Sequence, residues 1–538
     1  MYRTGKTGKG TNTQFWEIAP GGGAAYGSGH GGTRISTRCA MRATRRYLGQ
    51  LCSMRDGREL RVRQYSKNNE IWATWIYDDL FYILPPSLIN EIKSLPPEKL
   101  SFIEVVDDHF LWNFHLGDAL EDRDFITAVK AHLNPQLRKI YSIHLKILCA
   151  CFELTHVKTY IANMTAYLAE QIEAAFTERL APPEDTRGWR TVMLWDAVLD
   201  ISHRVVAVLM VGPSLGATEQ YIHHAFNYIE TVLGWSGIMF ILPSLWMRKL
   251  YFRLSPGGQK IRRHLRKTQK LVTLELRRIM AEKQQQQSKQ DNWPLCLLDA
   301  LVEVAPFSGG GEEDDDKVLI RITNQMLFLT FAASGLYCVV LCQAIYFILG
   351  NPEYIDDLRE EIKAAVQTAG GLNKQALAEM YKLDSFLRET LRSSPPTGLT
   401  LQRKLHEDII LSDGTTFKAG NLIAIPSLAI LHDVDLYTEP HTFDPYRFYD
   451  RASGKTTVHS VTQTAQYPVF GYGTQTCPGR FFAMQATKLA LAHLLMDYDM
   501  KFLPKRQGKP VDWPTGGQLM PNVNTFVAFR RKGQAFPN

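Results

Sequence analysis

Apolar positions along the chain fall into two rhythms, and their order outlines the elements. Leu383, Phe386, Leu387, Thr390 and Leu391 recur at helical spacing. Gln136–Lys139 and residues 160–175 would share one amphipathic helical pattern, but the apolar, cysteine-bearing stretch Ile140–Lys158 breaks it. Met326 to Leu349 carries no charged residue, and hydropathy alone nominates it as a transmembrane helix. Gly398–Leu405, Ile409–Ser412 and Leu422–Ile425 read as strands, because Ser412-Asp413-Gly414 and Ala419-Gly420-Asn421 are turn chemistry. Residues 72–86 read as two more strands and a turn, and the stretch 101–125 as aromatic, loop-rich chain with Phe102, Phe110, Trp112 and Phe114. Residues 233–247 are short and very apolar, and a basic run from Arg248 to Arg266 follows them. Gln284–Gln287 and Gly309–Asp316 are expected to be solvated loops.

Composition narrows the class. A chain of 538 residues with 45% hydrophobic content has ample material for a core. Its net charge of +7 is mild and suits an acidic protein partner or anionic lipid. No nucleic-acid module is recognisable. The eight cysteines form no metal-type pairs; Cys149/Cys151 and Cys338/Cys342 lie in apolar runs, where cysteine is usually a small buried hydrophobe. Nothing indicates a disulfide framework, which fits a reducing compartment. Residues 1–67 are rich in Gly, Arg and Lys and are expected to be disordered.

The most informative feature is Phe470-Gly471-Tyr472-Gly473-Thr474-Gln475-Thr476-Cys477-Pro478-Gly479. A glycine-bearing loop before a helical pattern can aim backbone N–H groups at a bound sulfur. A thiolate so held serves as axial ligand to a heme iron. Glu389 and Arg392, three apart on a helical pattern, share one face. Pro445-Tyr446-Arg447-Phe448 follows, and the Arg447 fork can bond a carboxylate. These three motifs match, in order and spacing, the Phe-x-x-Gly-x-x-x-Cys-x-Gly, Glu-x-x-Arg and Pro-x-Arg-Phe motifs of the cytochrome P-450 superfamily, which the chain resembles from about residue 68 to its end. Cys477 to Ala483 and Ser202–Gly212 look most like fungal enzymes that decorate terpenoids and other secondary metabolites.

The resemblance implies one mainly α-helical domain over 68–538 with a small β region, and heme b between a long central helix and the cysteine loop. Met326–Leu349 would then be that buried helix rather than a membrane span. Cys477 would ligate the iron, with Phe470, Gly473 and Gly479 shaping its loop. Arg403 and Gln475 would face heme propionates, with Arg138 as a weaker candidate on the early helix. Glu389, Arg392 and Arg447 would lock the core. The segment 101–125 would cover the substrate pocket, and 233–247 would roof it and dip into a membrane. Electrons would come from a separate NADPH-dependent flavoprotein reductase, since no flavin or nucleotide motif is present in the chain. An endoplasmic reticulum surface is implied, although no apolar anchor run of 18 residues occurs near the start. A misassigned start, an Arg-rich targeting segment and a soluble protein all accommodate that, and 140–158 reads as retained non-coding sequence or a lineage-specific insert.

One departure affects the chemistry. Most members carry an acid or polar residue followed by threonine over the iron, relaying protons to bound dioxygen. Counting back from Pro352 places Gly335 and Leu336 there. Ser334, one position off, and Tyr337 are the candidate donors. Two enzymatic readings follow: a monooxygenase acting on a bulky lipophilic metabolite, with protons from water, Ser334 or a substrate hydroxyl, or a heme-thiolate isomerase or dehydratase that does not split dioxygen. A non-enzymatic third is a misassembled chain that binds heme poorly.

Overall fold

The computed structural model describes residues 70–76, 79–120, 124–130, 154–181, 188–239, 242, 245–285, 296–304, 312–506, 508–515 and 517–533. The segment 1–67, Arg138, Cys149, Cys151 and residues 140–153 of the suspected insert lie outside the described residues.

The small sheet is built from β1 (Trp72–Ile76), β2 (Asp79–Ile83), β3 (Leu100–Ser101), β5 (Thr400–Leu405) and β6 (Leu422–Ile425), in the order β1-β2-β6-β5-β3. β2 and β6 run parallel, and the other pairs are antiparallel. β1, β2, β5 and β6 fall where the apolar runs and turn residues put them; β3 was not expected, and of Ile409–Ser412 only Ile409–Ile410 is strand, paired with Thr416–Phe417 outside this sheet. The β5–β6 pairing slips between Thr400 and Arg403, where Leu401 has φ +47°, so a bulge re-aims the strand next to Arg403. A second sheet orders β7 (Tyr498–Leu503), β8 (Phe526–Arg531) and β4 (Trp189–Met193) as β7-β8-β4.

Ten of the described helices carry the argument: α1 (Ile103–Phe110), α2 (Leu154–Leu180), α3 (Leu194–Gly216), α4 (Glu219–Met239), α5 (Leu245–Leu254), α6 (Pro256–Gln285), α7 (Glu312–Gly350), α8 (Ile355–Ala369), α9 (Tyr381–Ser393) and α10 (Arg480–Asp497). α7 runs through the main core and packs against α3, α6, α9 and α10. It is long and apolar enough to cross a membrane, yet 78% of its apolar window is buried within the protein. Its apolar side chains are therefore satisfied by other helices rather than by lipid.

Three expectations change. The stretch 101–125 is not mainly loop: α1 occupies 103–110, stops at Leu111 with φ +56°, and is followed by short turns. The acidic run from Glu312 to Asp316, expected in a loop, opens α7. Residues 154–158, read as the end of an insertion, form the first turn of α2.

Two buried ionic knots hold the half of the domain beneath α7. Glu389 and Arg392 are both fully buried. Arg392 donates to both Glu389 oxygens at 2.7 and 2.8 Å, and Arg447 Nε donates to the same pair at 3.2 and 3.1 Å. The remaining arginine donors reach the carbonyls of Leu431, Pro440, Thr438 and Thr442. The second knot was not anticipated: Lys488 of α10 pairs with Asp384 of α9 at 2.9 Å, and Ser460 donates to Asp384 through its backbone and its hydroxyl. Burial pushes the Asp384 carboxyl up, but Lys488, His459 and Ser460 outweigh it and hold the group well below the usual carboxylate range.

Glu389→Ala leaves two arginines facing an apolar hole and should cost about 3–5 kcal/mol in a urea unfolding series. A depressed folded-state pKa means that the stability contributed by Asp384 is complete above its unfolded value of about 3.9 and is lost as pH falls below it. The urea midpoint of the wild type should therefore drop more steeply from neutral pH to pH 3 than that of Asp384→Asn, measured side by side.

Candidate active site

The cysteine loop enters α10 directly, with Gly479 as the residue before the helix. Gly471 and Gly473 have φ +77° and +89°, conformations that L side chains rarely adopt. Gly473 is constrained twice over, because a Cβ there would lie 2.1 Å from the carbonyl oxygen of Lys93. That close approach lets Thr474 N–H donate to the Lys93 carbonyl at 3.1 Å. Lys93 Nζ in turn donates to the Tyr472 hydroxyl at 3.0 Å. Cys477 N–H donates to the Phe470 carbonyl at 2.8 Å, closing the loop on itself. Phe470 packs against the main core.

The thiol of Cys477 sits where opposing effects meet. Burial pushes it up; the backbone N–H groups of Gly479 and Arg480 and the positive charge of Arg480 pull it back, leaving it above its ordinary value. A metal cation at the sulfur would deprotonate it outright. A Cβ at Gly479 would stand 3.9 Å from the sulfur, an ordinary contact.

Arg403 lies close to this loop. Its guanidinium stands 5.7 Å from the ring of Phe102, whose N–H donates to Gln475 Oε1 at 3.3 Å. Arg403 is 5% exposed, and burial lowers its pKa to about 10. Among the described residues its only hydrogen bond is from Nη1 to its neighbour's carbonyl, at 2.7 Å. A buried guanidinium without a carboxylate is costly, and an acidic group on a bound cofactor would offset that cost. Gln475 differs from the expectation: its Nε2 donates to the Leu100 carbonyl at 2.8 Å, so the amide chiefly ties the loop to β3 and α1. One amide hydrogen remains for a cofactor.

The opposite wall is α7. Leu336 is 45% exposed in the middle of a helix whose next twelve residues are nearly all buried, so it faces a cleft. Ala332, Ala333 and Gly335 are partly exposed beside it. Ser334 and Tyr337 are 2% and 1% exposed. Two residues along a helix is about 200° of turn, so Ser334 points away from the side that Leu336 opens. Tyr337 packs on Phe482 of α10, and its hydroxyl meets the Ala486 carbonyl at 3.4 Å. Neither expected proton donor is brought to the cleft.

Aromatic side chains from the 101–125 stretch reach α7. Phe110 and Trp112 meet Phe331 with ring centroids 4.9 and 4.8 Å apart. His115 Nδ1 lies 2.5 Å from the Tyr228 hydroxyl of α4. This polar pair carries no local motif that would have marked it in the sequence. Lys488, a lone charge in an apolar helical run, was a signal that could have been read.

The residues present fit a heme on four counts: a partly exposed cysteine at a helix start, a glycine loop, a buried arginine without an anion, and an apolar wall opposite. Gly473→Ala should remove heme from the purified protein while leaving far-ultraviolet circular dichroism close to wild type. Arg403→Leu should lower heme retention several-fold in a transfer assay to apomyoglobin, and Arg403→Lys should recover part of it.

The family model described as cytochrome P-450 matches residues 158–529. The chain is 29% identical over 479 residues to the cytochrome P-450 monooxygenase verB of Clonostachys rogersoniana, covering 87% of each. It is 30% identical over 484 residues to the cytochrome P-450 monooxygenase sirB of Leptosphaeria maculans, covering 88% of this chain and 85% of that one. An ent-kaurene oxidase of Gibberella intermedia is 27% identical over 458 residues, covering 84% of this chain and 78% of the relative. A matched family model over most of the chain, fungal monooxygenases along nearly its full length, and a cysteine loop opposite an apolar helix agree: the chain belongs to the cytochrome P-450 family and is a monooxygenase-class oxidoreductase.

Proposed function

We propose that the chain is a heme-thiolate monooxygenase of fungal secondary metabolism that oxidises a bulky lipophilic metabolite of terpenoid type. Cys477 would hold the heme iron. The observation that carries this reading is the Cys477 thiol, flanked by the Gly479 and Arg480 N–H groups at the start of α10. The terpenoid assignment draws its support from the ent-kaurene oxidase relatives. A heme bound here supplies dioxygen activation, with one atom entering the substrate and the other leaving as water.

The chain's own residues do the rest. N–H donors beside the sulfur spread its charge and tune its donor strength. Arg403 supplies the positive charge that a propionate would take up, and the cysteine-loop residues Phe470, Gly473 and Gly479 hold the sulfur in place. Glu389, Arg392 and Arg447 act structurally. The partly exposed Phe110 and Phe331, backed by the buried Trp112, present an aromatic wall suited to an apolar substrate. With Gly335 and Leu336 on the cleft side, the side chains there donate no proton. Protons then arrive through water or a hydroxyl of the substrate itself.

Electrons come from a separate NADPH-dependent flavoprotein reductase. Contact with a membrane surface is part of this reading: α5 exposes Trp246, Leu250 and Leu254 next to the basic face of α6. The lack of a donor on the cleft side also favours a second reading, a heme-thiolate isomerase or dehydratase that does not split dioxygen.

The reduced, carbon-monoxide-bound difference spectrum tests the ligand: the wild type should show a red-shifted thiolate band that Cys477→Ala loses, and a band surviving in the variant would overturn the assignment. For a monooxygenase, Leu336→Thr should raise the fraction of NADPH oxidation coupled to product, whereas Ser334→Ala should leave it within about twofold, because that hydroxyl points away from the cleft. Turnover without NADPH or reductase would select the isomerase reading.

A further inference from the structure

α4 and α6 pack against each other over the central helix. Where they meet, three histidines converge: His223 and His224 from α4 and His264 from α6. Each ring offers one nitrogen, and the three nitrogens lie within 4.8 Å of one another. His224 and His264 are buried, and His223 is exposed. The Nδ1 atoms of His224 and His264 are 3.1 Å apart. Two imidazole nitrogens at that separation can share one proton or one metal ion. With zinc–nitrogen bonds of about 2.0–2.1 Å, two ligands of a tetrahedral site stand roughly 3.3–3.4 Å apart, so small ring rotations would seat the ion.

The chemistry of the group selects the ion. It contains no carboxylate, so nitrogen donation alone must hold an ion there, against the repulsion of Lys260 and Lys267, whose charges reach the His264 ring. Calcium and magnesium, which need several oxygen ligands, are excluded by that donor set. A borderline cation bound by nitrogen donation fits it. At the exposed His223, the Asn227 amide donates to the histidine's own carbonyl at 2.8 Å and lies 3.4 Å from its Nδ1.

We propose that His223, His224 and His264 form a three-imidazole site for a divalent cation of the zinc type, which clips α4 to α6. Water takes the fourth position. The site stands apart from Cys477 and does not depend on how the heme is ligated.

The test uses the heme-loaded full chain, stripped with a chelator and dialysed against micromolar zinc, with bound metal counted per chain by atomic emission. The wild type should hold one equivalent, and zinc should raise its melting temperature in calorimetry. His264→Ala should lose both effects. Should His264→Ala fail to fold, His223→Ala decides, because that exposed position can be truncated without opening the core; it should weaken zinc binding at least tenfold. His441→Ala, another exposed histidine, should behave as wild type. Absence of a bound equivalent in the wild type, or an equivalent that survives in His223→Ala with unchanged affinity, overturns the proposal.

Discussion

A carboxylate with no access to water organises this half of the molecule. Glu389 would be prohibitively costly to bury alone. It is tolerated because two guanidiniums and the Asp444 N–H converge on it. The arginines are held in turn, their outer nitrogens spent on main-chain carbonyls between Leu431 and Thr442. Removing any member strands a charge, so the irregular chain from 431 to 447 has one place to lie. Irregular backbone usually pairs with water; here it pairs with buried arginines, and this fixes where the chain turns toward the cysteine loop.

The second knot continues that path. Asp384 binds Ser460 and Lys488, and so joins α9, the approach to the loop, and α10 beyond it. Arg388 adds a third tie: it is nearly buried, lies 3.6 Å from the Tyr467 ring centroid, and donates to the carbonyls of His459 and Thr462. Successive faces of α9 therefore grip the chain upstream of Cys477, while the same helix meets α10 downstream. With both ends clamped, the sulfur can stay beside its N–H donors without drifting. The Lys93 carbonyl fixes the loop tip through contacts that only a glycine at 473 permits.

Facing this rigid loop is a helix wall with little polar chemistry. α7 turns Ala332, Ala333, Gly335 and Leu336 toward the cleft, and keeps its hydroxyls on the packed side. Thr330 bonds the Met326 carbonyl one turn back, and Tyr337 reaches across to α10. The helix spends its polar groups on packing, and proton supply falls to water or to the substrate.

What the chain alone determined is local. Three residues at fixed offsets around Cys477, a carboxylate and a guanidinium three apart on a helix, and strands bounded by turn residues depend on neighbours within a few positions, so they could be read without the fold. Their partners could be read only by resemblance, as for Arg447. The tertiary structure decided the remainder. A helix that is apolar on every side carries no periodic mark of which face meets a cleft, so packing against α3 and α10 set the rotation of α7 and turned Ser334 inward. Lys488 finds Asp384 across about a hundred residues of chain, and His264 meets His223 and His224 across forty. Such pairings arise from how helices pack, and no spacing along the chain encodes them.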